Sequence, residues 1–401
     1  MKQVSKLAIY ILLLIPQISW AQEQFDWNLI PSNQIHNSES ISGILNQLKG
    51  DSVQTFSIVH LGDSHIQADF FGAKMRKLLQ STYGNSGRGF VFPYSFAKTN
   101  GHADARFIGP KENWQIQRIT KADSGNFIGI PGYQLTLTDP NTEVFTFKYI
   151  PDSSLFDAEI SELVMLYQGE ASFSFGSNES SFSLINESKN VGNLLNQQSF
   201  KIVPGVLSFE VTISHSQNFV FHGMILRNNR KGVQYHSVGV NGATLKNYNQ
   251  SAVLLSQLSV LNPQLLIVSL GTNESVSKID SLSFTNQLAQ LVQTAKTELH
   301  CGILFTTPAD NYLRKKTRHK KKTRIQYYDN PKAKEIGDWM IAFCEHEGIA
   351  YWDMYEALGG KGSMKEMVAT GLAAKDHIHF SRKGYHVQAS LFFEALKRSI
   401  N

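Results

Sequence analysis

Cysteine is almost absent from this 401-residue chain, with only Cys301 and Cys344 present. Cys301 opens a predicted strand and Cys344 falls inside a predicted helix. Two buried thiols are therefore expected rather than a disulfide framework, although an oxidising compartment would permit one bond. The histidines lack the paired spacings of a zinc site, so no metal and no cofactor is expected. Long apolar runs are also missing. The only one near the N-terminus, Leu7 to Pro16, is too short to span a bilayer. Charged residues make up 18% and apolar residues 42% of the chain, the balance of a folded globular protein rather than a disordered one, and the length suits two domains.

The first 21 residues read as a secretory signal peptide. Lys2 and Lys6 precede the apolar stretch, and Ser19-Trp20-Ala21 places small residues at the two cleavage-determining positions. Cleavage after Ala21 predicts a secreted or periplasmic protein. The residue after that point is Gln22 and not cysteine, so no lipid anchor is expected there, and an exported protein is not expected to bind nucleic acid.

The chemistry of the chain centres on Gly62-Asp63-Ser64-His65. An apolar run, Phe56 to Val59, precedes it, and helical apolar spacing through Met75, Leu78 and Leu79 follows it. Ser64 thus falls at a strand-to-helix turn, where rigid elements can present a hydroxyl and a backbone amide together. The bland alternative is a helix cap, since Asp and Ser are both preferred there. Tyr83 to Phe90 is rich in glycine and reads as a loop, either beside the site or plainly on the surface.

From residue 111 to 226 the pattern changes to short segments of period two, such as Val144 to Tyr149, Ala171 to Phe175 and Leu207 to Ile213, punctuated by Gly, Asn, Ser and Pro. This predicts an all-β sandwich inserted between residues 22–110 and 227–401. Phe173, Phe175 and Phe209 alternate as core residues do. Charge follows the same boundary: residues 125–220 carry a balance of −7, leaving +10 on the rest of the mature chain. After residue 230, helices expected near Leu245–Leu261, Ser281–Thr297, Lys332–His346 and Lys383–Arg398 alternate with short apolar strands at Leu265–Leu270, Ile303–Thr306 and Ile349–Trp352. That alternation predicts an α/β fold, a parallel sheet flanked by helices.

Ligands of open α/β sheets bind beyond the carboxyl ends of the strands. Ser64, Gly242 and Asn273 each follow a predicted strand, and Asp376-His377-Ile378-His379 lies just before the last helix. A histidine base can take the proton of Ser64, with a carboxylate three residues away fixing its tautomer. The amides of Ser64 and Gly242 and the side chain of Asn273 are donors for a developing oxyanion. Gly239 competes with Gly242, and His377 with His379.

These blocks resemble those of the SGNH (GDSL-type) serine hydrolases over roughly residues 40–110 and 227–400. The resemblance implies a flavodoxin-like three-layer fold, the catalytic set Ser64, Asp376 and His379, and an oxyanion hole of Ser64, Gly242 and Asn273. Asp-x-x-His spacing favours His379. The signal peptide, His65 after the serine and the β insert further resemble two-domain peptidoglycan O-acetylesterases, whose inserted domain is like a carbohydrate-binding module. That implies an O-acetylated glycan, peptidoglycan first, as substrate. Another polysaccharide, a lipid or thioester substrate, or a glycan-binding protein without turnover are the alternatives. Glu274 stands where many relatives have Asp. The basic run Arg314 to Arg324 reads as a solvated loop, with weak association to an anionic surface as its functional alternative.

Overall fold

The computed structural model describes residues 32–50, 53–121, 127–151, 159–176, 181–191, 194–319 and 322–400. The expected signal peptide lies outside the described residues. The chain divides into two compact bodies, one drawn from the residues up to Asn46, Ile267–Ala289 and the chain from Ile303 on, the other from Gln47–Leu266 and Gln290–Gly302. Among the described residues, no helix is long and apolar enough to cross a membrane.

In the first body the strand order is Ile35–His36, Ala350–Trp352, Gly302–Thr306, Leu265–Ser269. Gly302–Thr306 and Ala350–Trp352 run parallel, whereas Ile35–His36 runs antiparallel to Ala350–Trp352. The sheet is therefore mixed, not purely parallel as the βα repetition predicts. The two-residue edge strand comes from the polar lead of the chain, too short to show any periodicity. The expected helices appear at Ser281–Glu298, Pro331–Glu347 and Arg382–Arg398. Asn330 caps the second with its side chain and Pro331 stands at its first turn, while the Ser381 hydroxyl accepts from the Gly384 amide at the start of the third. Gly384 has a packing reason, since a Cβ there would come within 1.9 Å of the Leu372 carbonyl oxygen.

In the second body, strands Thr55–Gly62 and Gly232–Gly239 pair in parallel, Gly62 opposite Gly239. Both are buried along nearly their whole length, as strands covered on two faces must be. The expected single helix over Leu245–Leu261 is broken into Leu245–Gln250, Leu254–Gln257 and a 3-10 turn at Leu258–Leu261. Ser251 causes the break: its backbone is extended, its hydroxyl donates to Ile128, and the Leu254 amide donates to it.

The same body holds two antiparallel sheets. One runs Phe182–Val191, Leu195–Ile202, Glu162–Gln168, Phe219–Arg227, Tyr133–Leu137, Gln115–Arg118, and the other Ala105–Ile108, Asn141–Tyr149, Ser208–His215, Ala171–Gly176. Aromatic rings fill the space between them, with Phe145 5.9 Å from Phe221 and Phe175 4.9 Å from Phe200, between ring centres. Phe175 and Phe209 are buried and Phe173 packs on Tyr167, so these rings serve packing. Strand Gly89–Val91 joins the first sheet beside Phe219–Arg227. The glycine-rich stretch before it is thus an interior connection. Ser86 and Arg88 are buried, and Arg88 binds the carboxylates of Asp69 and Asp104.

Candidate active site

Ser64 opens a four-residue helix, Ser64–Gln67, directly after the Thr55–Gly62 strand. The cap is Asp63, whose carboxylate accepts from the His65 amide at 2.9 Å. Asp63 itself is buried, and Ser64 is half-buried. The capping role that sequence alone could give to either residue falls to the aspartate.

The parallel partner strand ends at Gly239, and the chain turns through Val240-Asn241-Gly242 into the helix capped by Thr244. The two candidate glycines do different work. A Cβ on Gly239 would come within 2.3 Å of the Gln67 nitrogen and 2.7 Å of the Asp63 carbonyl oxygen, so Gly239 lets the strand end pack against the Ser64 turn. Gly242 instead has a φ of +80° and open space where a Cβ would sit. A positive φ in open surroundings points to backbone conformation as its reason.

Gln67, which sequence reasoning missed, ties these turns together. It is buried, and its side-chain oxygen accepts from the Asn241 amide at 2.7 Å and from the Tyr133 hydroxyl at 2.8 Å. Its side-chain nitrogen donates to the Asn100 carbonyl at 2.6 Å. Gln67 therefore links the helix that starts at Ser64 to the residue before Gly242. Its position one turn after Ser64 was the available signal. Replacing Gln67 with alanine leaves the Asn241 amide and the Tyr133 hydroxyl without their acceptor. If the turn is part of the site, kcat on a small ester should fall about 10- to 100-fold with KM little changed, because small misplacements cost rate. Steady-state kinetics measure this, and a kcat within about twofold of the parent sets the role aside.

In the first body, Asn273 lies in the short helix Thr272–Ser275 that follows strand Leu265–Ser269. Gly271 before it takes a φ of +118°, and its amide donates to the Glu274 carboxylate at 3.0 Å. Glu274 is buried. The glutamate thus closes the turn that carries Asn273, a task its longer side chain performs from the helix's third position.

The most developed local geometry is at Asp376. Its Oδ1 accepts from the amides of Ile378 and His379, both at 3.0 Å, and its Oδ2 lies 2.8 Å from Nδ1 of the His379 ring. Burial works to raise the carboxyl, but the ring and the two amides outweigh it and hold Asp376 below the usual carboxylate range. An ionised carboxylate only accepts, so Nδ1 carries the proton and Nε2 is the basic nitrogen. His377 has another task. Its ring is stacked on Tyr327 at 4.2 Å, lies 5.3 Å from Tyr312, and burial lowers its pKa. Asp376 bonds Ile378 and His379 instead, and the His377 backbone has a φ of +59°.

One group of potential metal ligands exists among the described residues: Asp69, His102 and Asp104, whose ligand atoms lie within 4.8 Å of one another. The carboxylates are already engaged by the guanidinium groups of Arg76 and Arg88, so this donor set suits an internal ion-pair network and repels a further cation. Cys301 and Cys344 are both free thiols, the first half-buried and the second buried, and burial pushes them up to about 11 and about 12. Neither is poised as a nucleophile.

Residues 217–387 match the GDSL-like lipase/acylhydrolase family, a span that holds Gly242, Asn273, Asp376 and His379 and leaves Ser64 upstream. No curated protein matches the chain. Among solved structures, a peptidoglycan O-acetylesterase is similar with a TM-score of 0.68 and 23% identity, over 90% of this chain and 95% of that one. A lipase/acylhydrolase from Enterococcus faecalis overlaps 43% of this chain and 79% of its own, at 16% identity and a TM-score of 0.31. TesA overlaps 42% and 81%, at 17% identity and a TM-score of 0.31. The chain has the SGNH/GDSL α/β hydrolase fold with added β-sandwich sheets, and its residues 217–387 carry a GDSL-like lipase/acylhydrolase domain.

Proposed function

We propose that the protein is an exported O-acetylesterase of cell-wall glycan, with peptidoglycan as its substrate and Ser64, His379 and Asp376 as its catalytic set. The observation that carries this reading is the Asp376–His379 pair, a carboxylate held by two amides and bonded at 2.8 Å to one ring nitrogen. Such a pair leaves the other nitrogen as a general base of fixed tautomer. Likeness of fold to a peptidoglycan O-acetylesterase supports the choice of substrate, and the signal-like N-terminus supports export.

In this mechanism Nε2 of His379 takes the Ser64 proton as Oγ attacks the acetyl carbonyl. The amides of Ser64 and Gly242 and the Asn273 side chain stabilise the tetrahedral oxyanion. Loss of one such donor costs about 3 kcal/mol in known hydrolases. Collapse breaks the bond to the sugar oxygen, which leaves with the proton from His379. Water, deprotonated by the same nitrogen, then attacks the acetyl-serine, and acetate and the free hydroxyl of Ser64 are restored. We assign residues 111–226 to a carbohydrate-binding-like module that orients the polymer.

The test is acetate release from O-acetylated peptidoglycan, compared with an O-acetylated xylan and a long-chain acyl thioester. Release from peptidoglycan at least about tenfold faster in kcat/KM is the expected result, a barrier difference of about 1.4 kcal/mol. Preference for the thioester or the xylan overturns the substrate, and no turnover of any ester, even an aryl acetate, leaves a glycan-binding protein.

A further inference from the structure

The basic run does not form a loop. Tyr312–His319 and Lys322–Asp329 pair antiparallel over their whole length as a two-stranded ribbon that, among the described residues, joins no other sheet. Residues 312–329 hold eight Lys and Arg against one acid, Asp329. An isolated two-stranded ribbon is only marginally stable in water, and like charges along it oppose its formation. Its root is therefore telling. The Tyr312 amide donates to the His377 carbonyl at 3.1 Å, and the Asn330 amide donates to Asn311 at 3.3 Å. The rings of Tyr312 and Tyr327 hold that of His377, and Lys361 pairs with Asp329 at 3.4 Å. His377 lies between Asp376 and His379 in sequence. The arm is thus rooted in the loop that carries the carboxylate–imidazole pair.

The register shows which cations share the face of Tyr327. Arg314 is directly opposite Tyr327 and Lys316 opposite Ile325, whereas Lys315 belongs to the other face with Leu313 and Tyr328. Arg314, Lys315 and Lys316 are all exposed. The exposed apolar residues of the arm, Leu313, Tyr328 and Ile325, are split between the two faces, so neither offers the continuous apolar surface that would enter a bilayer. Cations on both faces, a root in the Asp376–His379 loop and no apolar face fit a flexible polyanion better than a lipid surface.

We propose that this ribbon is a cationic arm that binds the carboxylate-bearing wall polymer and delivers it to the Asp376–His379 loop, with Arg314 and Lys316 as its inner contacts. The identity of the polymer rests on the reading of the site as a wall-glycan esterase; the attraction itself does not.

The full chain and its Arg314→Glu/Lys316→Glu variant should be compared in three assays: sedimentation with insoluble peptidoglycan stripped of O-acetyl groups, sedimentation with phosphatidylglycerol vesicles, and hydrolysis of an aryl acetate. Stripping the acetyl groups removes the reactive ester and leaves the carboxylates. The parent should sediment with peptidoglycan in a salt-sensitive manner, because exposed charges are screened beyond about 8 Å at physiological ionic strength. The variant should lose about tenfold in binding while its kcat/KM on the aryl acetate stays within about twofold, since rim charges act on encounter and not on the reacting bond. Unchanged peptidoglycan binding by the variant overturns the arm, and so does a parent that sediments with vesicles but not with peptidoglycan. Salt-sensitive peptidoglycan binding by a parent inactive on every ester keeps the arm and removes the esterase reading.

Discussion

Replacing Ser64 with alanine should lower kcat on an aryl acetate by about 10⁴-fold or more while leaving the fold intact. The structural half of this expectation rests on Asp63. The aspartate, not the serine, caps the Ser64–Gln67 helix, and Ser64 is only half-buried, so loss of its hydroxyl removes neither a cap nor core packing. The chemical half rests on the requirement for a nucleophile with a base of fixed tautomer. His379→Ala should be about as damaging, because members of a catalytic set act as a unit, while Asp376→Asn should be milder. Circular dichroism checks the structural half, and burst kinetics with mass spectrometry after treatment with an aryl phosphonate check the chemical half. An adduct at another serine, or undiminished turnover by the alanine variant, sinks the assignment, as does His377→Ala proving worse than His379→Ala.

The largest stability effect should come from Asp69, five residues beyond Ser64. Its Oδ1 accepts from Arg76 at 3.1 Å and from Ser237 at 2.6 Å, its Oδ2 accepts from Arg88 at 2.8 Å, and His102 lies 3.2 Å away. All these groups are almost wholly buried, so Asp69→Ala leaves two guanidinium groups to share Asp104. Removing one partner from a buried ionic cluster costs about 3–5 kcal/mol, because the remaining charge stays desolvated. Burial works to raise the Asp69 carboxyl, but Arg76 and Arg88 pull it well below the usual range. A carboxyl depressed on folding contributes stability above its unfolded pKa of about 3.9, and that contribution is lost as pH falls through the folded value. The mutational loss should therefore be complete at pH 7 and shrink in strong acid. Urea unfolding at several pH values measures it, and a loss under about 1 kcal/mol at pH 7 would show that the cluster relaxes or hydrates.

The residues most legible in sequence were those whose type and place are both dictated by chemistry. Ser64, Gly242 and Asn273 do stand in turns or short helices that follow strands, and Asp376 and His379, three residues apart, are bonded to each other as that spacing suggests. The long helices expected at Ser281–Thr297, Lys332–His346 and Lys383–Arg398 stand within one residue of those bounds. Gln67 was not legible, since its partners at Asn100, Tyr133 and Asn241 come from distant parts of the chain. The basic ribbon was also hidden. A strand signals itself by alternating apolar and polar residues, and Arg314, Lys315, Lys316 and Thr317 are polar on both faces. Ser251 broke an expected helix through a bond to Ile128, a contact that no local pattern announces. Arg88 read only as part of a glycine-rich loop, beside the site or on the surface, because the carboxylates that pair with it lie elsewhere in the chain.

The parallel pairing of Thr55–Gly62 with Gly232–Gly239 also sets an order of events in folding. The strand that leads into Ser64 can meet this neighbour only after the intervening chain has been synthesised, and Gly89–Val91 waits likewise for Met224–Leu226. Closing such long loops before contacts repay the lost entropy slows folding. Until residues 224–239 have been made, Thr55–Gly62 and Gly89–Val91 therefore lack these strand partners of the folded chain.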